Sequence, residues 1–203
     1  MAEKSELNGS RETLVNTTRK TGVAKFPFWC GLGIMSLGLI TGCTDHQSNP
    51  PTTATVTIVN TAGTTIGTAR LSEANNGEVT IVVEASGLPV GAHGMHFHQF
   101  GVADPKASPP FSTSGEHYNP TSKQHGLHNP NGPHAADLPN LVADAQGNAK
   151  MTTKTKLISL SPGPTTLFDA DGSSLIIHAN GDDQTTDPSG NSGGRIAGGV
   201  IER

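Results

Sequence analysis

Three groups of side chains in this 203-residue chain have types and spacings that could hold transition-metal ions. The first lies in Gly91-Ala92-His93-Gly94-Met95-His96-Phe97-His98. On an extended strand, His96 and His98 project from one face about 7 Å apart, because the rise is roughly 3.3 Å per residue, and two imidazoles so placed can bind one ion. The second group is His117, His125, His134 and Asp137, spread along a stretch without strand alternation. Three imidazoles and one carboxylate make a tetrahedral donor set that suits zinc, which accepts nitrogen and oxygen ligands. The third is Leu175-Ile176-Ile177-His178, an apolar strand that ends in a histidine and runs on to Asp182-Asp183. Any one of these histidines could be solvated or structural, and it is their combination that points to metal. His46 and His128 receive no metal role.

Strands must position these groups. From Thr53 the chain alternates with period two, in Ala54 to Val59, Thr65 to Leu71 and Glu78 to Glu84, with Thr61-Ala62-Gly63 and Asn75-Asn76-Gly77 as turns between them. His93 to Phe100, Asn148 to Thr155, Ser174 to Ala179 and Gly194 to Glu202 continue the series. Between Gly101 and Asn140 the alternation fails in a stretch rich in Pro, Gly and His, and Asn180 to Gly194 is a second such stretch. Loops of that length inside a compact domain tend to be functional, and the histidine density favours that reading here. No segment after residue 43 shows a sustained helical period. The expected fold is all-β, a Greek-key sandwich or flattened barrel with two long functional loops.

Residues 1–50 do not read as a domain. Residues 1–25 carry five Lys or Arg against three Glu, and an apolar run from Phe26 to Ile40 follows. This is the order of a signal peptide, and the run is shorter than the roughly 20 residues a membrane-spanning helix needs. Leu39-Ile40-Thr41-Gly42-Cys43 resembles the lipobox of bacterial lipoproteins, which implies a lipid on Cys43. The expected organisation is a signal peptide with lipobox at 1–42, a flexible tether at 43–53 and one domain at 54–203. Such a protein is exported and lipid-anchored to a cell membrane, facing the extracellular or periplasmic side. Cys30 and Cys43 are the only cysteines, so the expected domain can form no internal disulfide and must be held by its core and by metal. Removing residues 1–42 takes the formal net charge from −4 to −6. With one Trp and one Tyr and no basic stripe, nucleic acid is excluded as a partner.

His96, His98, His117, His125, His134, Asp137, His178 and Arg195 resemble, in type and relative spacing, the functional set of the copper–zinc superoxide dismutase family, over about residues 54–201. The most specific pieces are Gly91-x-His93-Gly94-x-His96-x-His98 and Gly190-Asn191-Ser192-Gly193-Gly194-Arg195-Ile196-Ala197. The resemblance implies an immunoglobulin-like Greek-key β-sandwich or flattened eight-stranded barrel holding one copper and one zinc per subunit. His96, His98, His117 and His178 would hold copper, and His117, His125, His134 and Asp137 would hold zinc, with His117 shared. Asp182 would join a copper-side histidine to a zinc-side one without touching either ion, and His93 would brace the sandwich. The implied activity is dismutation of superoxide to dioxygen and hydrogen peroxide, with copper cycling between Cu(II) and Cu(I). His117 and Arg195 would be its catalytic residues, the first passing a proton to the forming peroxide and the second supplying a fixed cation beside the anionic substrate.

The chain departs from that family in places. Most relatives carry a disulfide that ties the metal loop to the last strand, and the matching positions here are Phe111 and Gly198. Phe111 is expected to pack its ring against the barrel instead, in a loop more mobile than usual. Residues 180–194 hold no lysine, so guidance of superoxide would fall to Arg195 and the metals. The oligomeric state, monomer or dimer, is open. A different class of function stands beside the enzyme: a non-catalytic, exported copper- and zinc-binding lipoprotein, which would have no use for an arginine at the substrate position.

Overall fold

The computed structural model describes residues 52–203. The expected signal peptide, Cys43 and the tether up to residue 51 lie outside the described residues. Nine strands follow one another: β1 (Thr52–Asn60), β2 (Thr65–Glu73), β3 (Val79–Ala85), β4 (Gly91–His93), β5 (Met95–His98), β6 (Leu141–Ala143), β7 (Ala149–Thr155), β8 (Ser174–His178) and β9 (Arg195–Glu202). No helix among the described residues is long and apolar enough to cross a membrane.

Every strand pairing is antiparallel, and the order across the sheet is β4-β6-β7-β3-β2-β1-β9-β8-β5. The two edges of that sheet, β4 and β5, are consecutive in sequence and separated only by Gly94. The sheet therefore curls until its edges come together, which gives the nearly closed, Greek-key barrel that the sequence implies. The strand expected over 93–100 is realised as two pieces, 91–93 and 95–98, and the three-residue β6 adds one that the sequence pattern does not announce.

Alternation decides what each strand buries. Ala54, Val56 and Ile58 of β1 and Ala69 and Leu71 of β2 enter the core, while Thr53, Thr55 and Thr57 are exposed. β5 and β8 break this rule, since every residue of both is buried. One face of each meets the barrel core and the other lies under the long loops, so strands buried on both faces mark where the loops dock.

The segment between β7 and β8 closes the barrel with Ile158, Leu160 and Leu167, all buried in the core. It is tied down by Glu73 at the end of β2, whose Oε2 accepts the backbone N–H groups of Leu160 at 2.8 Å and Ser161 at 2.6 Å. Glu73→Ala leaves both amides without that partner and is expected to cost about 2–3 kcal/mol of unfolding free energy in a urea titration. Glu73→Gln, which keeps an acceptor, should cost clearly less, and equal losses from the two variants would show that the carboxylate is not what holds the segment.

Candidate metal centre

On β5, Met95 and Phe97 point into the core, so His96 and His98 occupy the opposite, loop-facing side. The register with β8 sets His96 opposite Ile176 and His98 opposite Ser174, and His178 at the end of β8 stands opposite Arg195 of β9. The free edge of β5 is occupied by the long loop. Phe97 N–H donates to Ala136 O at 3.2 Å, Tyr118 N–H to Phe97 O at 3.0 Å and Gln99 N–H to Glu116 O at 3.0 Å. Loop residues thereby come into strand-like pairing, His98 with His117 and His96 with Asp137. Backbone hydrogen bonds, not side-chain contacts alone, deliver the loop donors to the strand donors.

His117 lies at the middle of the cluster. Its ring centroid is 4.1 Å from that of His96, 5.0 Å from His98, 5.2 Å from His125, 5.6 Å from His134 and 6.0 Å from His178. Two compact donor groups result, His96-His98-His117-His178 and His96-His117-His125-Asp137, each with its ligand atoms within 4.8 Å of one another. His134 is just outside the second, with Nδ1 3.6 Å from Asp137 Oδ1. His96 has only one uncommitted nitrogen, because its Nε2 donates to Asp182 Oδ2 at 2.8 Å. Once His96 serves the first group, the fourth donor available to the second is His134. His128 is exposed and outside the cluster.

The pattern of unmet hydrogen bonds says what these groups fit. Among the described residues, eleven buried side-chain polar atoms have no partner, and seven are His96 Nδ1, His98 Nε2, His117 Nδ1, His125 Nδ1, His134 Nδ1, His178 Nε2 and Asp137 Oδ1. The opposite nitrogens are committed: His98 Nδ1 donates to Gly115 O at 3.0 Å, His178 Nδ1 to Gly193 O at 3.1 Å and His125 Nε2 to Asp182 at 3.0 Å. Partners that can only accept fix the proton on those nitrogens, which leaves the lone pair of each neutral ring on Nδ1 of His96 and on Nε2 of His98 and His178. Asp137 Oδ2 likewise accepts the amides of Gly126 at 2.8 Å and His134 at 2.9 Å, leaving Oδ1 free. Imidazole nitrogens converging on one point, and imidazoles with a carboxylate on another, are donor sets that suit copper and zinc.

Electrostatics keeps most of this cluster uncharged. Burial, followed by the neighbouring rings, lowers the pKa of His117 far below the usual imidazole value and takes His178 to about 4. Burial also lowers His98 and His96. His125 goes the other way: burial works against its charged form, but the Asp137 and Asp182 carboxylates on either side outweigh it and hold it up to about 9. Its Nδ1 is 2.9 Å from Asp137 Oδ1, although the angle makes no hydrogen bond. Asp182 would be raised by burial alone, yet hydrogen bonds from His125, His96 and the Gln184 amide bring it down to about 2.

Asp182 is placed where the sequence expects it, joining His96 to His125. A side chain at Gly190 would collide with this carboxylate, and Gly190 also has the positive φ of +61 that glycine tolerates. His93 braces the barrel through His178 O at 2.8 Å and Pro89 O at 2.7 Å. Sequence reasoning missed the carbonyls of Gly115 and Gly193, and Asn140, whose amide group exchanges two 2.8 Å hydrogen bonds with the Asp182 backbone. It also missed Asp187, whose Oδ1 accepts the His125 amide at 2.6 Å. Arg195 is half-buried and held at three points: Nη1 donates to Phe111 O at 2.8 Å and Ser114 Oγ at 3.0 Å, and Nη2 to Gly115 O at 2.7 Å.

Comparison with known proteins agrees with this geometry. The family model described as copper/zinc superoxide dismutase matches residues 65–201. A Cu-Zn superoxide dismutase of Aquifex aeolicus is 44% identical over 147 residues, 71% of this chain and 85% of that protein. A Cu-Zn superoxide dismutase of Caulobacter vibrioides is 37% identical over 170 residues, 82% of this chain and 95% of that protein. The crystal structure of a SOD-like protein from Bacillus subtilis superposes with a TM-score of 0.67 at 36% identity, covering 72% of this chain and 96% of that one. The matched stretch takes in every donor from His96 to His178 together with Arg195, and the chain belongs to the copper/zinc superoxide dismutase family.

Proposed function

We propose that this protein converts two superoxide ions and two protons into dioxygen and hydrogen peroxide. His96, His98, His117 and His178 hold copper, and His117, His125, His134 and Asp137 hold zinc, one of each per subunit. The observation that carries this reading is the convergence of seven buried, unpartnered donor atoms beside a fixed guanidinium. When bound, copper would supply a one-electron redox couple and zinc a fixed positive charge. The chain supplies the rest. Arg195 keeps its charge at every working pH and offers it to an anion from a rigid fork. Burial and the surrounding rings keep His117 from taking a second proton, so in the metal-free protein it is a neutral imidazole with one N–H to pass to a forming peroxide and one lone pair. His134 and His117 line an open cleft with Gln99, Glu116, Asn119 and Pro188.

The family also includes a protein described only as SOD-like, so membership by itself does not decide between turnover and storage. Arg195 favours turnover, because a cation fixed beside the histidines suits an anionic substrate and storage alone has no need of one. We further read residues 1–42 as a signal peptide and Cys43 as a lipidated N-terminus on a tether. The domain then faces out of the cell membrane that carries it, where it would remove superoxide arriving from outside.

Three outcomes test these statements. Purified protein loaded with copper and zinc should accelerate superoxide decay. His117→Ala should abolish the acceleration and Arg195→Ala should lower it about 10- to 100-fold at unchanged copper content. Stoichiometric binding of both metals without any acceleration would leave the binding-protein alternative standing. Second, with the His125 pKa held up to about 9, the metal-free ring is protonated at pH 7, and an ion at Nδ1 must displace that proton. Zinc uptake should therefore release a proton at pH 7 and weaken by about tenfold per unit as pH falls below 9. Calorimetry in two buffers of different ionisation enthalpy reads this, and uptake without proton release would show that the His125 ring is neutral before zinc arrives. Third, Cys43→Ser should move the protein from the detergent phase to the aqueous phase on partitioning, and an unchanged distribution would dispose of the lipid anchor.

A further inference from the structure

Two buried apolar side chains among the described residues do not belong to the barrel core, Phe111 and Ile176, and both are 0% exposed. Ile176 is on β8, where the register sets it opposite His96 on one side and Gly198 of β9 on the other. It therefore faces outward, on the same side of the sheet as the β5 histidines. A Cβ at Gly198 would lie 2.6 Å from Ile176 Cδ1 and 2.6 Å from Leu175 O, so the absence of a side chain there is what lets Ile176 lie flat over β9. An outward isoleucine that is completely dry needs a cover, and the loop that docks on this face is the one that carries Phe111.

Phe111 is itself unusual. It adopts φ +58, the left-handed region that a bulky residue enters only when its surroundings force it. Its N–H donates to Asp104 O at 2.9 Å. Its carbonyl accepts the Ser114 amide at 3.1 Å, the Ser114 hydroxyl at 2.8 Å and Arg195 Nη1 at 2.8 Å. The same residue thus has an apolar end out of water and a polar end on the guanidinium. No cysteine occurs after Cys43, so nothing covalent ties this loop to β9.

We propose that Phe111 is a positioning residue: its buried ring seats the loop on the outer face of β8 and β9, and its carbonyl thereby fixes the Arg195 guanidinium. This rests on the reading of Arg195 as the cation that receives superoxide. Strain at Phe111 persists because both ends are satisfied together. Removing the ring releases the carbonyl, and the guanidinium loses one of its three anchors along with the Ser114 turn that carries a second.

The test compares wild type, Phe111→Ala, Phe111→Leu, Arg195→Ala and the double variant Phe111→Ala/Arg195→Ala, all as full chains. Amide hydrogen exchange on the metal-free proteins reads the anchor without any activity. Phe111→Ala should speed exchange at Ser114 and Gly115 by about tenfold or more while the amides of β1 to β3 keep their protection, and Phe111→Leu should restore most of the difference. In the metal-loaded proteins, Phe111→Ala should lower the rate constant for superoxide decay by about tenfold or more at unchanged copper content, and should add nothing in the Arg195→Ala background. Equal losses in both backgrounds, or exchange at 112–116 that ignores the ring, would overturn the proposal and leave Phe111 as filler. Wild type that consumes no superoxide would instead sink the dismutase reading, and the exchange comparison would still decide whether the ring seats the loop.

Discussion

Seven unpartnered donor atoms buried in one place are the constraint around which the rest of this molecule is arranged. Each buried polar atom without a partner costs about 1–3 kcal/mol, so seven together, about 7–21 kcal/mol, match or exceed the whole net stability of an ordinary domain, about 5–15 kcal/mol. A chain cannot carry that load as mere packing. The surrounding groups orient the rings: one nitrogen each of His96, His98, His125 and His178 meets an acceptor, which turns the opposite nitrogen into the cluster. Cations are the partners that would satisfy lone pairs without bringing protons of their own.

The barrel contributes one exposed strand edge to that arrangement. Because the sheet ends on β5, the edge beside His96 and His98 is open to the loop, which pairs with it through Phe97 and Gln99. An edge that would elsewhere be a liability for aggregation is here covered by the chain's own donors. The second long loop is fastened to the first through Asp182 and Asn140, so neither loop is positioned alone. Gly190 matters for the same reason, as the point where backbone comes close enough to the shared carboxylate.

The sequence told most of this story where side chains carry it. His96 and His98 follow from alternation, and the strand bounds follow within a residue or two from β-branched periodicity. Three residues of β6 are too few to show a period, and the break at Gly94 is invisible in a string that reads as one strand. Backbone groups were the real loss. Nothing in the letters for Gly115 or Gly193 says that their carbonyls set the proton positions on His98 and His178. Phe111 was legible as a substitution but not as a residue whose own carbonyl holds Arg195.

A loop held by burial answers to different conditions from one held by a covalent cross-link. The described domain has no thiol to oxidise, so its folding needs no oxidising partner. A reductant strong enough to open an extracellular cross-link has nothing here to act on. The Phe111 contact instead weakens in the cold and in chaotropes, where the driving force for removing apolar surface from water declines. If the ring seats the loop as proposed, the placement of the Arg195 guanidinium is a matter of temperature and solvent, and is indifferent to the redox state of its surroundings.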